Sequence, residues 1–249
     1  MNTLPQIDPR WDGKYPIIGL KLIKDFSRVD DALVNQFFEY RVPDISDLVG
    51  VLYTMDSGIR PIYTPMKRIC GSAFTVKCPP GDNMFLKYAT QYVKRGDVIV
   101  VDARGFSEWA VAGAANAQRA RDNGCVGIII DGAYRDVVQT REAQVPVMSR
   151  SINAATGPKR GPGELNTTIC CGGVIVNPGD LIIADEEGIV VVPMEYAARV
   201  ANCLNSKYQY ADKENWDSSL MAQRYEEREQ YFNQILEARG CEFLDFKKQ

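Results

Sequence analysis

The sequence predicts one α/β domain with an N-terminal arm and a C-terminal helical extension. Apolar runs such as GDVIVVDARG (96–105) and VGIIIDG (126–132) are typical of parallel strands covered on both faces. At 249 residues the chain is long enough for one large core with additions. We therefore predict an N-terminal arm and helix over 1–44, an α/β core over 45–193 and a C-terminal helical extension over 194–249.

The N-terminal elements are predicted from the positions of proline and glycine and from the spacing of apolar residues. Proline and glycine recur too often in residues 1–20 for a regular element, which predicts an extended arm. Ser27 is the predicted N-cap of a helix that Pro43 interrupts, and a second helix is expected from Ile45. The apolar residues at helical spacing in the first helix are Val29, Leu33, Phe37 and Phe38.

The core strands are predicted in order from GSAFTVKC (71–78) through the two runs above to GDLIIADEEGIVVVP (179–193). A helix from about Gly113 to Asn123 connects the two central strands, which predicts a right-handed parallel crossover.

Beyond Pro193 the pattern is helical again. One face of the segment from Leu220 to Arg239 is apolar, Gly240 ends it, and we expect it to pack on a neighbouring subunit. Its apolar residues are Met221, Tyr225, Phe232, Ile235 and Leu236.

Composition excludes several classes of function. A net charge of −3 without a Lys/Arg stripe argues against nucleic acid as a partner. No signal peptide or membrane-length apolar run is evident, so we expect a cytoplasmic protein without a membrane partner. The chain has no histidine, which rules out Ser-His and Cys-His couples and the usual zinc sites. The seven cysteines lack CxxC spacing and are interpreted as reduced core residues: Cys70, Cys78, Cys125, Cys170, Cys171, Cys203 and Cys241.

The predicted crossover brings three segments to one edge of the sheet, where ligands of open α/β sheets bind. The helix beginning at Gly113 should offer unpaired N–H groups of Ala114, Ala115 and Asn116 to an anion. Arg135 suits a carboxylate or 2-oxo group, and Asp136 suits a hard divalent cation. A surface turn carrying a solvated ion pair is the alternative interpretation of Arg135 and Asp136.

The order and spacing of several stretches resemble the RraA-like family. These are PPGDNMFLKYATQYVKRGDVIVVDARG, the Gly113 helix, GCVGIIIDGAYRDV, the Pro146-Val147 pair and GGVIVNPGDLIIADEEGIVVVP, within about residues 45–193. The resemblance implies a layered β/β/α domain in a ring-shaped oligomer, a homotrimer or homohexamer. The family includes metal-dependent aldolases of 4-hydroxy-4-methyl-2-oxoglutarate and 4-carboxy-4-hydroxy-2-oxoadipate, some with oxaloacetate decarboxylase activity. It also includes non-enzymatic inhibitors of ribonuclease E.

The resemblance also implies residue roles. The backbone from Gly113 to Asn116 and the Arg135 side chain would bind the pyruvyl part of a carboxylate substrate. Asp136 would ligate Mg²⁺ or Mn²⁺, and Arg135 would neutralise the developing oxyanion.

Two positions depart from the aldolase pattern. Ala114 and Gln139 stand where the family's aldolases usually carry acidic residues. Candidates to rebuild the site are Asp102, Glu108 and Asp131, each of which could equally be a structural cap. A neighbouring subunit would supply one further carboxylate, for which the C-terminal candidates are Asp212, Glu214 and Glu226.

Two further stretches have alternative interpretations. GDN (81–83) could approach the ligand, although a helix N-cap by Asp82 is favoured. GPKRGPGE (157–164) could cover the site with Lys159 and Arg160, although a solvated loop is favoured.

The leading functional prediction is a divalent-metal-dependent lyase, either an aldolase or a decarboxylase, acting on a polycarboxylic 2-oxo acid. The alternative is a non-catalytic regulator that inhibits a protein partner, which the missing acids at Ala114 and Gln139 favour.

Overall fold

A computed structural model describes residues 18–209 and 218–241. The chain divides into two compact units, Met1–Leu204 and Asn205–Gln249. The predicted arm lies almost wholly outside the described residues, as do Asp212 and Glu214.

Eleven strands occur in the described residues. They are β1 (Leu20–Leu22), β2 (Arg60–Pro61), β3 (Ile69–Lys77), β4 (Asp97–Ala112), β5 (Gly127–Tyr134), β6 (Val147–Ile152), β7 (Gly163–Leu165), β8 (Ile169–Cys171), β9 (Val174–Val176), β10 (Leu181–Asp185) and β11 (Gly188–Val192).

Seven α-helices are described. They are α1 (Asp31–Gln36), α2 (Val42–Val49), α3 (Met84–Ala89), α4 (Ala114–Asp122), α5 (Val137–Glu142), α6 (Ala197–Gln209) and α7 (Ser218–Ala238). Short 3-10 helices cover Phe37–Glu39, Val51–Tyr53 and Met194–Tyr196.

Nine strands form the central sheet in the order β1-β7-β3-β4-β5-β6-β2, with β10 and β11 attached through β3. The four strands β3, β4, β5 and β6 are parallel to their neighbours, as the crossover argument predicts. One edge of β3 is shared, because its first half pairs with β10 and its last residues pair with β7. β8 and β9 form a separate hairpin.

The core lies on both faces of this sheet, which explains the continuous apolar runs. All eight residues of β5 are buried. Ile128 and Ile130 pack on one face with apolar residues of α3 and α4, whereas Ile129 packs on the other with the β8–β9 hairpin. Alternating side chains therefore enter two separate clusters, and the predicted α/β class is confirmed.

Two predictions about the N-terminal helices need correction. Asp30, not Ser27, caps α1, because its side chain accepts the N–H of Ala32 at 2.8 Å. Pro43 lies in the first turn of α2, where its missing N–H costs no helical hydrogen bond, so α2 begins before Ile45.

The cysteines also differ from prediction. Four are buried, whereas Cys170, Cys203 and Cys241 are exposed and do not belong to the core. Local periodicity indicates which face of an element is apolar, but not whether another segment covers that face.

The second unit contains the predicted C-terminal helix, α7, and Gly240 follows it with a positive φ of 74°. Tyr225, Phe232 and Leu236 are exposed on α7. None of the helices within 18–209 and 218–241 combines the length and apolar character needed to cross a bilayer.

Candidate functional site

Gly113 and Arg135 meet where β4 and β5 end side by side. Ala112 pairs with Tyr134 across the two strands. The Arg135 N–H then donates to the Ala112 carbonyl at 3.1 Å, one residue beyond that pair. The loop after β5 therefore lies beside the first turn of α4, as the parallel crossover predicts.

The carboxylate of Asp136 sits against this turn. The Ala114 N–H donates to Asp136 Oδ2 at 3.3 Å, and Arg135 Nε lies 3.6 Å from the same oxygen. A Cβ on Gly113 would overlap that carboxylate and would lie 3.1 Å from Arg135 Cγ. Space and not backbone conformation thus favours glycine here, since its φ of −158° is ordinary extended backbone.

A buried hydroxyl pair holds the backbone of Asp136. This residue has left-handed dihedral angles, φ 61° and ψ 42°, which are uncommon outside glycine. Its carbonyl accepts the N–H and the hydroxyl of Thr140 at 3.1 and 2.9 Å, and the hydroxyls of Thr140 and Tyr134 lie 2.7 Å apart. Burial raises the pKa of Tyr134, so its hydroxyl stays protonated and can donate. These hydrogen bonds hold the backbone of Asp136 in place and so set the position from which its side chain extends.

The start of α4 offers fewer free donors than the sequence predicts. The Ala114 N–H is engaged by Asp136, and the Asn116 N–H donates to the Gly113 carbonyl at 3.0 Å. Of the three predicted donors, only the Ala115 N–H has no acceptor within the described part of the chain. We call the place where the first turn of α4 meets Arg135 and Asp136 the corner. An anion at this corner would therefore contact the Ala115 N–H and the Arg135 guanidinium.

Asp131 is committed to a separate ion network. Arg150 Nε donates to Asp131 Oδ1 at 2.5 Å, and the Gly172 N–H donates to Oδ2 at 2.9 Å. The hydrogen bond to Asp131 raises the pKa of Arg150, which also lies 3.3 Å from Asp56. Asp131 precedes Arg135 by four strand residues, about 13 Å at the usual rise. This carboxylate thus acts in the structure as a structural anchor.

Asp102 and Glu108 each have a hydrogen-bond partner close by in the sequence. β4 continues to Ala112 through several register shifts, beyond the run GDVIVVDARG (96–105) that predicted it. Asp102 is level with Asp131, accepts the Arg104 N–H at 3.0 Å and lines two cavities of about 350 and 530 Å³. Glu108 is exposed and accepts a hydrogen bond from Ser107 at 3.0 Å. Glu226 is exposed in the second unit.

A metal at the corner would have the Asp136 carboxylate as a ligand. No three Asp, Glu, Cys or His side chains within 18–209 and 218–241 are grouped closely enough to hold a metal ion. The Asp136 side chain is 36% exposed, which leaves room for water beside it. Mg²⁺ commonly keeps several waters and takes one or two carboxylates together with the substrate, so this donor set fits such an ion.

Two lysines near Arg135 complete the positive side of the corner. Burial lowers the pKa of Lys87 in α3, and the positive charges of Lys159 and Arg135 lower it further. Sequence reasoning had named Lys159 only as part of a loop that could cover the site, and had missed Lys87. Its position one helical turn after Asn83 of the GDN turn was the available signal.

The segment that carries Lys159 is held in place. Asp82 Oδ2 accepts the N–H groups of Arg160 and Gly161 at 2.7 and 3.0 Å. The other oxygen of Asp82 accepts the Met84 N–H at 2.9 Å, but the N-cap of α3 is Asn83, so the predicted N-cap lies one residue too early. One carboxylate therefore ties the start of α3 to the segment beyond Lys159.

Comparisons with known proteins identify the family of this chain. The family model RraA-like (Aldolase/RraA) matches residues 42–191. A Halalkalibacterium halodurans protein provisionally named 4-hydroxy-4-methyl-2-oxoglutarate aldolase is 34% identical over 188 residues, which is 76% of this chain and 88% of that protein.

Two solved structures named for RraA share the fold. The RNA-processing inhibitor RraA from Thermus thermophilis superimposes with a TM-score of 0.57 and 27% identity, over 62% of this chain and 93% of its own. Streptomyces coelicolor RraAS2 is described as an unusual member of the RNase ES inhibitor RraA family. It superimposes with a TM-score of 0.67 and 24% sequence identity, over 76% of this chain and 98% of its own. The latter likeness concerns the fold alone.

Proposed function

Since this chain belongs to the RraA-like family, we propose that it is a carbon–carbon lyase that cleaves or decarboxylates a 2-oxo acid bearing more than one carboxylate. The observation that carries the proposal is the corner at which Ala115, Arg135 and Asp136 converge. A Cβ on Gly113 would overlap the Asp136 carboxylate, so the close approach of this carboxylate to the start of α4 depends on glycine. The provisional aldolase name of the Halalkalibacterium halodurans relative supports the same class of reaction.

The residues of the corner suit the charge that develops in such a reaction. The Ala115 N–H and the Arg135 guanidinium would hold the 2-oxo acid head of the substrate. As the carbon–carbon bond breaks, its electron pair moves toward the 2-oxo oxygen, and Arg135 would stabilise that oxyanion. In an aldol cleavage the substrate's hydroxyl would give its proton to a water at the corner, because the chain has no histidine.

Asp136 would hold Mg²⁺ or Mn²⁺ beside the same head group. When bound, such a cation supplies Lewis-acid polarisation of the 2-oxo oxygen. The Tyr134–Thr140 pair would keep the Asp136 carboxylate in position for it.

Substrate choice should differ from that of the family's aldolases. Ala114 is next to Asp136, with its N–H 3.3 Å from Oδ2, and Gln139 is exposed in the first turn of α5. Neither can hold metal-bound water as a carboxylate does. We expect weak or no turnover of 4-hydroxy-4-methyl-2-oxoglutarate, and faster turnover of another polycarboxylic 2-oxo acid.

The test is a panel of 2-oxo acids assayed for release of pyruvate or CO₂ with Mg²⁺ or Mn²⁺. Chelation and Asp136→Asn should each abolish activity while the protein stays folded. Activity that survives both would remove the metal-dependent mechanism. Turnover of 4-hydroxy-4-methyl-2-oxoglutarate at about 10 per second, a typical enzyme rate, would refute the argument from Ala114 and Gln139.

A regulator that inhibits a protein partner is the second candidate. The uncharged side chains at Ala114 and Gln139 favour it, and the Thermus thermophilis neighbour is titled an RNA-processing inhibitor. Absence of turnover on the whole panel, together with inhibition of a ribonuclease by the purified chain, would favour this function.

A ring-shaped homotrimer or homohexamer is part of the proposal, because the described residues bring no three carboxylates together and a second subunit could add another. Light scattering should give the mass of three or six chains. A stable monomer at micromolar concentration would refute it.

A further inference from the structure

Arg104 lies in a bulge of β4 that strains its backbone. The register of β4 against β5 shifts after Asp102, which leaves residues 103–105 without partners in β5. Arg104 and Gly105 both have a positive φ, 60° and 69°. Glycine adopts such angles freely, whereas any other residue there costs conformational energy. Bulges commonly redirect a side chain, and this one presents a charged group at a position that suits glycine.

The fold itself offers the Arg104 side chain no partner. Arg104 is exposed, and its guanidinium forms neither an ion pair nor a hydrogen bond within 18–209 and 218–241. Arg28, by contrast, pairs with the buried Asp97 at 2.7 Å. A strained residue persists where its surroundings or a function require it. Since no contact of the described residues uses the Arg104 charge, the strain calls for a contact with a ligand.

Lys77 and Asp102 lie side by side on the face of the sheet that carries the β8–β9 hairpin. They pair in register across β3 and β4, so their side chains share a face. Val100, two residues before Asp102, packs in the cluster that contains the hairpin, which identifies this face. Asp102 Oδ1 accepts the Arg104 N–H at 3.0 Å, whereas Oδ2 has no partner in the described part of the chain. Lys77 Nζ approaches Glu164 only to 4.0 Å, so both charged groups keep binding capacity.

Two cavities share these charged side chains. Lys77, Asp102 and Arg104 line both of them, and their volumes of about 350 and 530 Å³ lie in the range of small-molecule sites. Neither lining includes residues 113–116 or 135–136, which form the corner. The walls also include apolar side chains, which are Pro79, Pro80 and Pro162 in the smaller cavity and Ile169 and Ile175 in the larger.

The mixture of charges selects the kind of ligand. A polyanion would be attracted by Lys77 and Arg104 but repelled by Asp102, and a simple cation would meet the opposite difficulty. A ligand that carries both charges on neighbouring atoms satisfies both signs at once. The Arg104 guanidinium presents paired donors that match a carboxylate, and Asp102 Oδ2 can accept from an ammonium group. A free α-amino acid carries these two groups on one carbon, whereas the residues within a peptide do not.

We infer that this space binds a free α-amino acid with an apolar side chain. The carboxylate of the ligand binds Arg104 and Lys77, and its ammonium group donates to Asp102. The apolar side chain of the ligand lies against Ile169 and Ile175 in the larger cavity. An α-amino acid has no 2-oxo group, so it is not a substrate of the proposed lyase reaction. This second site therefore goes beyond the proposed function.

Calorimetric titration with three related ligands tests the requirement for both charges. The full chain is titrated with L-leucine, with 4-methylpentanoate, which is leucine without its ammonium group, and with 3-methylbutylamine, which is leucine without its carboxylate. L-Leucine should bind about tenfold or more tightly than either analogue. This is the usual effect of losing a hydrogen bond between charged groups.

Two variants test the residues. Arg104→Gln removes the guanidinium, and Asp102→Asn removes the negative charge but keeps an oxygen that can accept the Arg104 N–H. Each should weaken L-leucine binding by about tenfold or more. The matched control is Arg95→Gln, because Arg95 is exposed and lies before the start of β4, whereas the bulge follows Asp102. This control should bind L-leucine within about twofold of the wild type, since a distant exposed charge is screened.

Thermal unfolding tests whether Arg104 serves the fold instead of a ligand. Glycine adopts a φ of 60° without strain, so Arg104→Gly should have a Tm equal to or above that of the wild type while L-leucine binding is lost. A lower Tm for both Arg104→Gly and Arg104→Gln would show that the fold uses this side chain. That result would overturn the inference.

The ligand series can also refute the inference. If 4-methylpentanoate binds as tightly as L-leucine, the space is an anion site, and if 3-methylbutylamine does so, it is a cation site. Either result would overturn the inference, as would absence of L-leucine binding at millimolar concentration or unchanged binding by Arg104→Gln and Asp102→Asn. None of these measurements depends on turnover of a 2-oxo acid, so their outcome leaves the proposed function to its own test.

Discussion

Restoring the two acids around Asp136 should strengthen divalent-metal binding. The Ala114 N–H lies 3.3 Å from Asp136 Oδ2, and Gln139 lies one helical turn after Asp136. Carboxylates in Ala114→Asp and Gln139→Glu would therefore stand about 5 Å from a cation on Asp136, within the reach of neighbouring helical positions. Both positions border a carboxylate that is 36% exposed, so water screens the interaction.

The expected size follows from Coulomb's law. A carboxylate about 5 Å from a divalent ion gains about 1.7 kcal/mol in a water-like medium. Screening at 0.1 M salt reduces this to about 1 kcal/mol per carboxylate. The double variant should therefore bind Mn²⁺ about thirtyfold more tightly than the wild type. If the rest of the corner is intact, cleavage of 4-hydroxy-4-methyl-2-oxoglutarate should rise with it.

The assay is a Mn²⁺ titration followed by water-proton relaxation. The matched control is the double variant Ala32→Asp/Gln91→Glu, which changes the charge of the chain by the same amount. Both residues are exposed and lie before β4 in the sequence, whereas the corner follows β4. The control should bind Mn²⁺ within about twofold of the wild type, the scatter expected from screened distant charges. Equal affinities of the wild type and the Ala114→Asp/Gln139→Glu variant would refute a metal at Asp136.

Three further predictions test the surroundings of the corner. Gly113→Ala would push a methyl group into the Asp136 carboxylate, so Mn²⁺ binding should be lost although denaturant unfolding changes by only about 1–3 kcal/mol. Unchanged Mn²⁺ affinity would contradict this packing. Arg150→Met would leave the Asp131 carboxylate, which is 8% exposed, without its cation. This variant should lose about 2–3 kcal/mol of unfolding free energy. A loss below about 0.5 kcal/mol would argue against a structural role for the Arg150–Asp131 ion pair. Burial raises the pKa of Cys125 to about 12, so thiol labelling of the native chain at pH 8 should spare it and reach only the exposed cysteines. These are Cys170, Cys203 and Cys241.

The sequence by itself determined the parallel strands, the crossover and hence the meeting of Gly113 with Arg135 and Asp136. Continuous Val and Ile runs report burial on both faces, and a parallel crossover leaves its two strand ends at one edge whatever the rest of the chain does. The family resemblance rests on the same order of elements and is confirmed by the match over residues 42–191.

Only the tertiary structure decided which other charges belong to that corner. β4 extends to Ala112, which leaves Asp102 and Asp131 behind, and Arg150 then captures Asp131. Lys87 and Lys159 approach each other because Asp82 joins α3 to a segment almost eighty residues further along the chain. Strand length beyond a register shift and contacts between distant segments depend on packing over the whole sheet. Local periodicity and spacing carry no record of them, so they could not show that Arg150 pairs with Asp131 or that Lys87 lies near Lys159.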